Sequence, residues 1–393
     1  MKHEIDILII GGGIAGLWTL ARLRKLGYTA YLLENNRIGG IQSIASQGII
    51  HGGTKYALGG KLGDSAKAIG NMPAIWQDCL NGKGEIDLSA VEVHTDTQLM
   101  WSTKSAVSRV AGFFAGKLMQ DRMQQLDKNS LPAPFDHAGF DGIVYRLNEP
   151  VLNTESLINA LYSQLNTYCI RGTADFDRFS LGDVVCMNDS GERFLQLKPK
   201  KVVLTAGFGN RKLLQALKQK EPVMQTRPVH MTMVKARKLP SLYAHCLGAS
   251  SSPRVTITST QHNGFHYWYV GGGISETGVS RNRDEQIKAC RQELQDVLPW
   301  VDLNQAQWST LMLDRAEVQT PGNKRPESSS VSHNNDVITV WPTKLAFAPK
   351  AAAEVLQILQ QNNIDPSMQE ITPQDYPSPP VARWPWLDAQ WSD

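Results

Sequence analysis

The first thirty-four residues constrain this chain more than any other stretch. Residues 4–10 (EIDILII) are a short isoleucine-rich run, followed by Gly11-Gly12-Gly13-Ile14-Ala15-Gly16, a helical stretch to Leu26, and Gly27. A second apolar run, 29–33, ends on Glu34. The pattern predicts strand, glycine turn, helix and strand, with an acid where the second strand stops. Gly11 allows the tight turn, Gly13 has no Cβ to keep a pyrophosphate from the backbone, and Gly16 lets the helix lie against the sheet. Phosphates would face the N–H groups at the helix start, around Ile14 and Ala15, and the positive end of the helix dipole. Glu34 lies 23 positions after Gly11, where a carboxylate can accept from the adenosine ribose hydroxyls and would repel a 2′-phosphate. A dinucleotide site is the expectation.

The remaining bulk properties mainly exclude. At 393 residues the chain has room for two domains or one large interleaved fold. Its 40 basic and 37 acidic residues nearly cancel and form no long basic run, so no nucleic-acid partner is expected. The five cysteines (Cys79, Cys169, Cys186, Cys246, Cys290) show neither CxxC nor metal-type spacing, so no metal site is expected and a reducing cytoplasm fits. The first strand begins within a few residues of the start, leaving no room for a signal peptide. No apolar run reaches about 18 residues, so no transmembrane segment is expected.

Along the chain, helices are expected over 63–80 (with Asp64 as cap), 105–126, 154–165, 283–298 and 349–359. Strands are expected around 86–94, 184, 194, 201–207, 229–236, 254–260, 265–270 and 337–341. Gly271-Gly272-Gly273-Ile274-Ser275-Glu276 has Glu276 where a third glycine would be needed, so it reads as a glycine-rich turn. The tail from 373 onward, with Trp384, Trp386 and Trp391, reads as an extended packed arm, with peripheral membrane contact as the alternative.

With these segments placed, the chain resembles the D-amino-acid-oxidase-like superfamily of flavoproteins. That group includes glycine and sarcosine oxidases, L-2-hydroxyglutarate dehydrogenase and glycerol-3-phosphate dehydrogenases. Residues 11–34 are similar to its adenosine-binding unit, and 43–56 to its flavin-contacting loop. Residues 201–207 (KVVLTAG) are similar to its second cofactor strand, and 341–355 (WPTKLAFAPKAAAEV) to its C-terminal flavin segment. The resemblance implies an α/β fold with an FAD-binding Rossmann-like domain made of discontinuous segments, 1–80, 150–215 and 316–393. A substrate domain from 81–149 and 216–315 would carry a large mixed or antiparallel sheet. Non-covalent FAD is implied, held by the glycine turn, Glu34, Asn35, Ser43, Gln47, Gly48, Ile49, Ala206, Gly207, Lys344 and Leu345. Thr343-Lys344-Leu345 stands where the family often has glycines. The scattered cysteines exclude a redox-active cysteine pair.

Catalytic candidates lie in His51-Gly52-Gly53-Thr54-Lys55-Tyr56, which resembles the loop of both sarcosine-type oxidases and glycerol-3-phosphate dehydrogenases. His51 is a candidate proton acceptor. Lys55 is a candidate for holding a substrate anion or stabilising superoxide, and Tyr56 for contacting substrate. Tyr267 and Tyr269, which share one face of a strand, and Arg325 in GNKRP are further substrate candidates. Arg227, His230, His245, Arg254, His262 and His266 accompany them in the middle segment. The expected activity takes a hydride from the CH–NH carbon of a small amine or amino acid, with oxygen or a quinone as electron acceptor. A 2-hydroxy acid or polyol phosphate donor is one alternative, and a flavin-bound interaction or membrane-surface subunit without turnover is another. A cytoplasmic location, possibly membrane-peripheral, is expected, and the sequence gives no oligomeric state.

Overall fold

The isoleucine-rich run becomes the strand Lys2–Ile10, the centre of a parallel core. The computed structural model describes residues 2–52, 69–103, 123–177, 182–248, 252–368 and 376–392. Within it this strand pairs in parallel with Ala30–Glu34 on one side and Arg193–Leu204 on the other. Val337–Trp341 and Cys169–Arg171 extend the sheet in parallel, and Ser330–Asn334, Val184–Met187 and Thr173–Asp175 add antiparallel edges. Parallel strands carry helices on their faces. Helix Ile14–Lys25 is buried along most of its length because Thr154–Leu165 and Ala348–Gln361 pack over it in turn. Leu17, Trp18 and Leu20 have no exposed surface, and burial of each such side chain contributes about 1.5–3 kcal/mol.

A second eight-stranded sheet runs in the order Gln307–Val318, Met224–Ala236, Phe265–Gly271, Thr256–His262, Ala244–Leu247, Gln98–Ser102, Ile143–Leu147, Met123–Gln125. It is antiparallel except where Ala244–Leu247 and Gln98–Ser102 run in parallel. Side-chain alternation divides its two faces. Trp268, Val270, Val234 and Trp308 join the core beneath helix Arg283–Val297, with Cys290 and Leu294. Val229, Met231, Met233, Tyr267 and Tyr269 face the other way and join the core of the first sheet's helices. Strand Gln307–Val318 belongs wholly to this second sheet, so the domain boundary expected at 315/316 falls inside a strand.

The C-terminal arm ties the two halves together. Ile38 donates its N–H to Pro380 O (2.8 Å) and Ala382 donates to Ile38 O (2.9 Å). At its far end Trp308 and Ser392 exchange N–H···O bonds across the edge of the second sheet. Between these anchors Trp384 and Trp386 stack at 5.1 Å, and Trp386 lies 5.7 Å from Tyr269.

Local readings were corrected at several points. The alternation over 86–94 yields only the strand Val93–Thr95. Upstream of it, Asp87 Oδ1 accepts from Ser89 N–H and Leu88 N–H donates to Cys79 O, so the chain turns there while still burying Ile86 and Leu88. Of the helix expected over 105–126, residues 104–122 lie outside the described residues, and Met123–Gln125 is an edge strand against Ile143–Leu147. The start of the helix expected at 63 also lies outside, and its described part is Met72–Leu80.

Trp386→Ala should destabilise the protein by about 3 kcal/mol, the low end for a deleted buried tryptophan. A urea titration in which the midpoint falls and the slope is unchanged would confirm this. A midpoint equal to the parent's would show that the arm is not coupled to the fold.

Candidate functional site

The glycine turn folds as its composition requires. Gly11 has φ +112, and a Cβ there would lie 2.5 Å from the Ala206 backbone. A Cβ on Gly16 would lie 2.0 Å from Gly11 O, so the helix can start this close to the strand only with glycine at that position. Thr205 Oγ1 donates to Gly11 O at 2.8 Å, tying the second cofactor strand to the turn. Beyond it Asn210, fully buried, accepts from Ala206 N–H at 2.8 Å. The helix cap, Gly13, offers no side chain and the first helical turn carries no acid. Ser43 Oγ accepts from Ile14 N–H at 2.9 Å, which brings the loop after Glu34 over a helix end suited to phosphate.

Glu34 Oε2 accepts from Gly12 N–H and Oε1 from Asn36 N–H, both at 2.7 Å. A carboxylate has acceptor capacity for two further donors. Burial pushes the Glu34 carboxyl up from its ordinary 4.5, opposed by the N–H groups of Gly12, Asn36 and Asn35.

The loop continues along the second sheet. Gln47 Nε2 donates to Thr256 O and Tyr269 O, each at 3.0 Å, so it joins the loop to that sheet. Gly48 (φ +70) accepts at its carbonyl from Leu152 N–H at 2.9 Å, and Ile49 bridges Val151. His51 Nδ1 lies 3.5 Å from Glu149 Oε2, and its ring stacks on His245 with centroids 5.7 Å apart. Glu149 is buried, accepts from Gly52 N–H at 2.7 Å and accepts from Gln98 Nε2. His245 Nδ1 lies 2.7 Å from Thr256 Oγ1.

A charged cluster closes the other end. Arg227 is held in bidentate fashion by Glu317, at 2.7 and 3.0 Å. Its cross-strand neighbour Arg315 donates Nε–H to Arg227 O at 3.0 Å and lies 3.6 Å from Glu276. Burial, followed by the charges of Arg227 and Arg325, lowers the Arg315 guanidinium from 12.5 to about 10, leaving it charged at neutral pH.

Residues from each of these parts, among them His51, His245, Glu276 and Arg315, line one cavity of about 760 Å³, in the upper range of cofactor and ligand sites. All four predicted segments reach it. Gly11, Gly13, Ile14, Ala15, Glu34 and Asn35 line one end, while Ser43, Gln47, Gly48, Ile49 and His51 form a wall. Ala206, Gly207, Lys344, Leu345 and Arg325 complete the predicted set, and Gly16 lies beneath the turn. Tyr267 and Tyr269 instead line a small pocket under Trp384 and Trp386. Lys55 and Tyr56 lie outside the described residues. Arg315 and Glu149 were not singled out from the sequence, because pairing and burial single them out and neither is a local property. Gly271, Gly272, Ser275 and Glu276 also line the cavity, where a glycine-rich turn had been expected. Gly272 (φ +90) leads into the short helix Gly273–Thr277.

Residues 6–322 match the model of the family described as DAO, FAD dependent oxidoreductase. The chain belongs to this family. It is 42% identical over 383 residues to a probable FAD-dependent oxidoreductase of Pseudomonas aeruginosa, covering 97% of each chain. The crystal structure of that protein matches with a TM-score of 0.85 over 99% of both chains. Glycine oxidase from Geobacillus kaustophilus shares the fold at 13% identity, with a TM-score of 0.62 over 91% of this chain and 95% of its own. L-α-glycerophosphate oxidase from Mycoplasma pneumoniae does so at 14%, with 0.63 over 97% and 100%. The protein is an FAD-dependent oxidoreductase and FAD is its cofactor. The glycine cradle, the helix end without an acid and a cavity of about 760 Å³ fit that dinucleotide. No helix among the described residues is long and apolar enough to cross a membrane.

Because the Glu34 carboxyl is raised, it takes up a proton at a higher pH than an exposed glutamate would. The proton removes acceptor capacity, so FAD affinity should fall on acidification, beginning at a higher pH than an exposed glutamate would give. Glu34→Gln should bind FAD about tenfold more weakly at pH 7 and show a flatter acid dependence. Equilibrium titration by flavin fluorescence measures both, and equal affinities with parallel pH curves would remove Glu34 from the ribose site.

Proposed function

We propose that this oxidoreductase acts on the CH–NH carbon of a small amino acid or related carboxylated amine. The observation that carries this reading is Arg315 beside Glu276, 3.6 Å apart at one end of the cavity. A guanidinium can take a carboxylate in bidentate fashion, and a carboxylate can take an ammonium. Together they suit a substrate carrying both charges. The 42% identical relative is named for FAD-dependent oxidoreduction, and the glycine oxidase fold is consistent with an amine donor.

The FAD domain in this reading comprises 1–80, 150–215 and the chain after the strand ending at Val318, while the second sheet forms the substrate domain. Bound FAD would supply the hydride acceptor for the donor carbon, with placement and electrostatics left to the protein. Arg315 and Arg325 hold the substrate anion, and Glu276 orients the amine. His51 takes one proton from the ammonium, so that the neutral amine can give up the hydride and leave as an iminium. Lys344 stands at the cavity, its Nζ 4.9 Å from the Phe347 ring centroid, and would supply positive charge toward a bound flavin. A polyol phosphate or 2-hydroxy acid is the second reading, favoured by three guanidiniums (Arg227, Arg315, Arg325) facing two carboxylates (Glu276, Glu317).

Anaerobic mixing of holoenzyme with a panel of small amino acids, N-substituted glycines, hydroxy acids and polyol phosphates separates the two. Bleaching of the flavin band near about 450 nm by amines alone is the expected outcome. Reduction by hydroxylated donors alone overturns the amine assignment. Arg315→Lys should raise KM for the active substrate about 30-fold or more with a smaller change in kcat, since a point charge replaces a fork.

A further inference from the structure

Glu149 is an acid that neither the cofactor nor the substrate reading uses, and it is almost entirely buried. It stands on the turn between Ile143–Leu147 and Val151–Leu152. A carboxylate in that setting is costly unless donors converge on it, and here they do. Oε1 accepts from Gly52 N–H at 2.7 Å, fixing the backbone of the catalytic-candidate loop. Oε2 accepts from Gln98 Nε2 and faces His51 Nδ1 at 3.5 Å. The same carboxylate therefore holds both the peptide after His51 and the region beside its ring.

We propose that Glu149 is the positioning residue for His51, acting through its tautomer and its charge. Its oxygen directs the imidazole proton to Nδ1, which leaves Nε2 as the acceptor-type nitrogen. When His51 takes a second proton, the contact with Glu149 becomes a charge-assisted one. The stacked ring of His245 limits this effect. With Nδ1 engaged at Thr256 Oγ1 and its centroid 5.7 Å away, it opposes two adjacent imidazolium charges. Glu149 from the turn and His245 from its strand thus pull the His51 titration in opposite directions. The inference rests on His51 being the proton acceptor of the proposed reaction, but its first test does not need the substrate.

In FAD-loaded protein carrying isotope-labelled histidine, the His51 imidazole resonance, assigned by its loss in His51→Gln, is followed between about pH 5 and pH 9. Glu149→Gln keeps the size of the side chain and removes the charge, and should lower the His51 midpoint by about one pH unit or more. Glu149→Asp, which retains the charge, should lie between the two, and His245→Gln should raise the midpoint. An unchanged midpoint in Glu149→Gln, or a shift of the same sign in His245→Gln, overturns the proposal. Should Glu149→Gln fail to fold, the Glu149→Asp and His245→Gln shifts decide it by the same signs. With an active substrate, the acid limb of the pH profile for flavin reduction should move with the NMR midpoint. A moved midpoint with an unmoved profile would leave the Glu149–His51 pair standing and remove His51 as proton acceptor instead.

Discussion

The architecture depends on how closely the first helix approaches the first strand. A Cβ at Gly16 would lie 2.0 Å from Gly11 O, so any side chain there would displace the start of the helix. That displacement could not stay local. Trp18 packs against Trp76 at 4.6 Å, and two further helices cover the same surface. Close-packed interiors transmit such shifts rather than absorb them. The N–H groups of Gly12 and Ile14 would move away from Glu34 and Ser43, which accept from them. Gly11 meets the same limit from the other side, through Ala206.

A second constraint is that one face of the mixed sheet serves two purposes. Along Met224–Ala236 and its neighbours, Val229, Met231, Gly271, Thr256 and His245 line the cavity. Further along the same face Met233, Tyr267 and Tyr269 form an apolar patch that shares its core with Trp384 and Trp386. An exposed aromatic patch of that kind would favour association. The C-terminal arm covers it with Trp384 and Trp386 and closes the structure past the end of the cavity. Tyr267 and Tyr269 share a face, as period-two alternation requires, and it is the cavity-bearing face, yet they lie beneath the arm.

Local chemistry was legible where backbone geometry dictates residue type. The glycine turn, the acid at Glu34, the strand that ends at Leu204 and the helix opened by Pro349 follow from short-range rules. The helix expected from Arg283 starts there, and the structure closes that end with an Asn282–Glu285 capping box. Features decided by distant partners were not legible. Nothing near Glu149 in sequence shows that Gly52, Gln98 and His51 converge on it, and Arg315 gains meaning only from its register with Arg227. Thr343 is an instructive departure. It stands where glycine would be expected and adopts φ +65, held by a hydrogen bond from its hydroxyl to Ser328 O at 2.8 Å. A β-branched residue there costs about 1–2 kcal/mol, so the glycine-type backbone persists although the residue has changed.

The arginines are not equivalent as anion ligands. Arg227 has both of its near donors engaged by a carboxylate that is itself buried, so recruiting it would strand Glu317 at a cost of about 3–5 kcal/mol. Arg315 is placed differently. Its guanidinium is buried between two like charges, and its contact with Glu276 is a longer one of 3.6 Å to a partly exposed acid. Lowering its pKa from 12.5 to about 10 corresponds to about 3 kcal/mol of unfavourable environment. A ligand carboxylate entering the cavity supplies counter-charge and relieves part of that cost, which adds to its own charge-assisted hydrogen bonds. Arg227 therefore stabilises the sheet, while under the proposed reading Arg315 is the cation from which substrate binding would gain most.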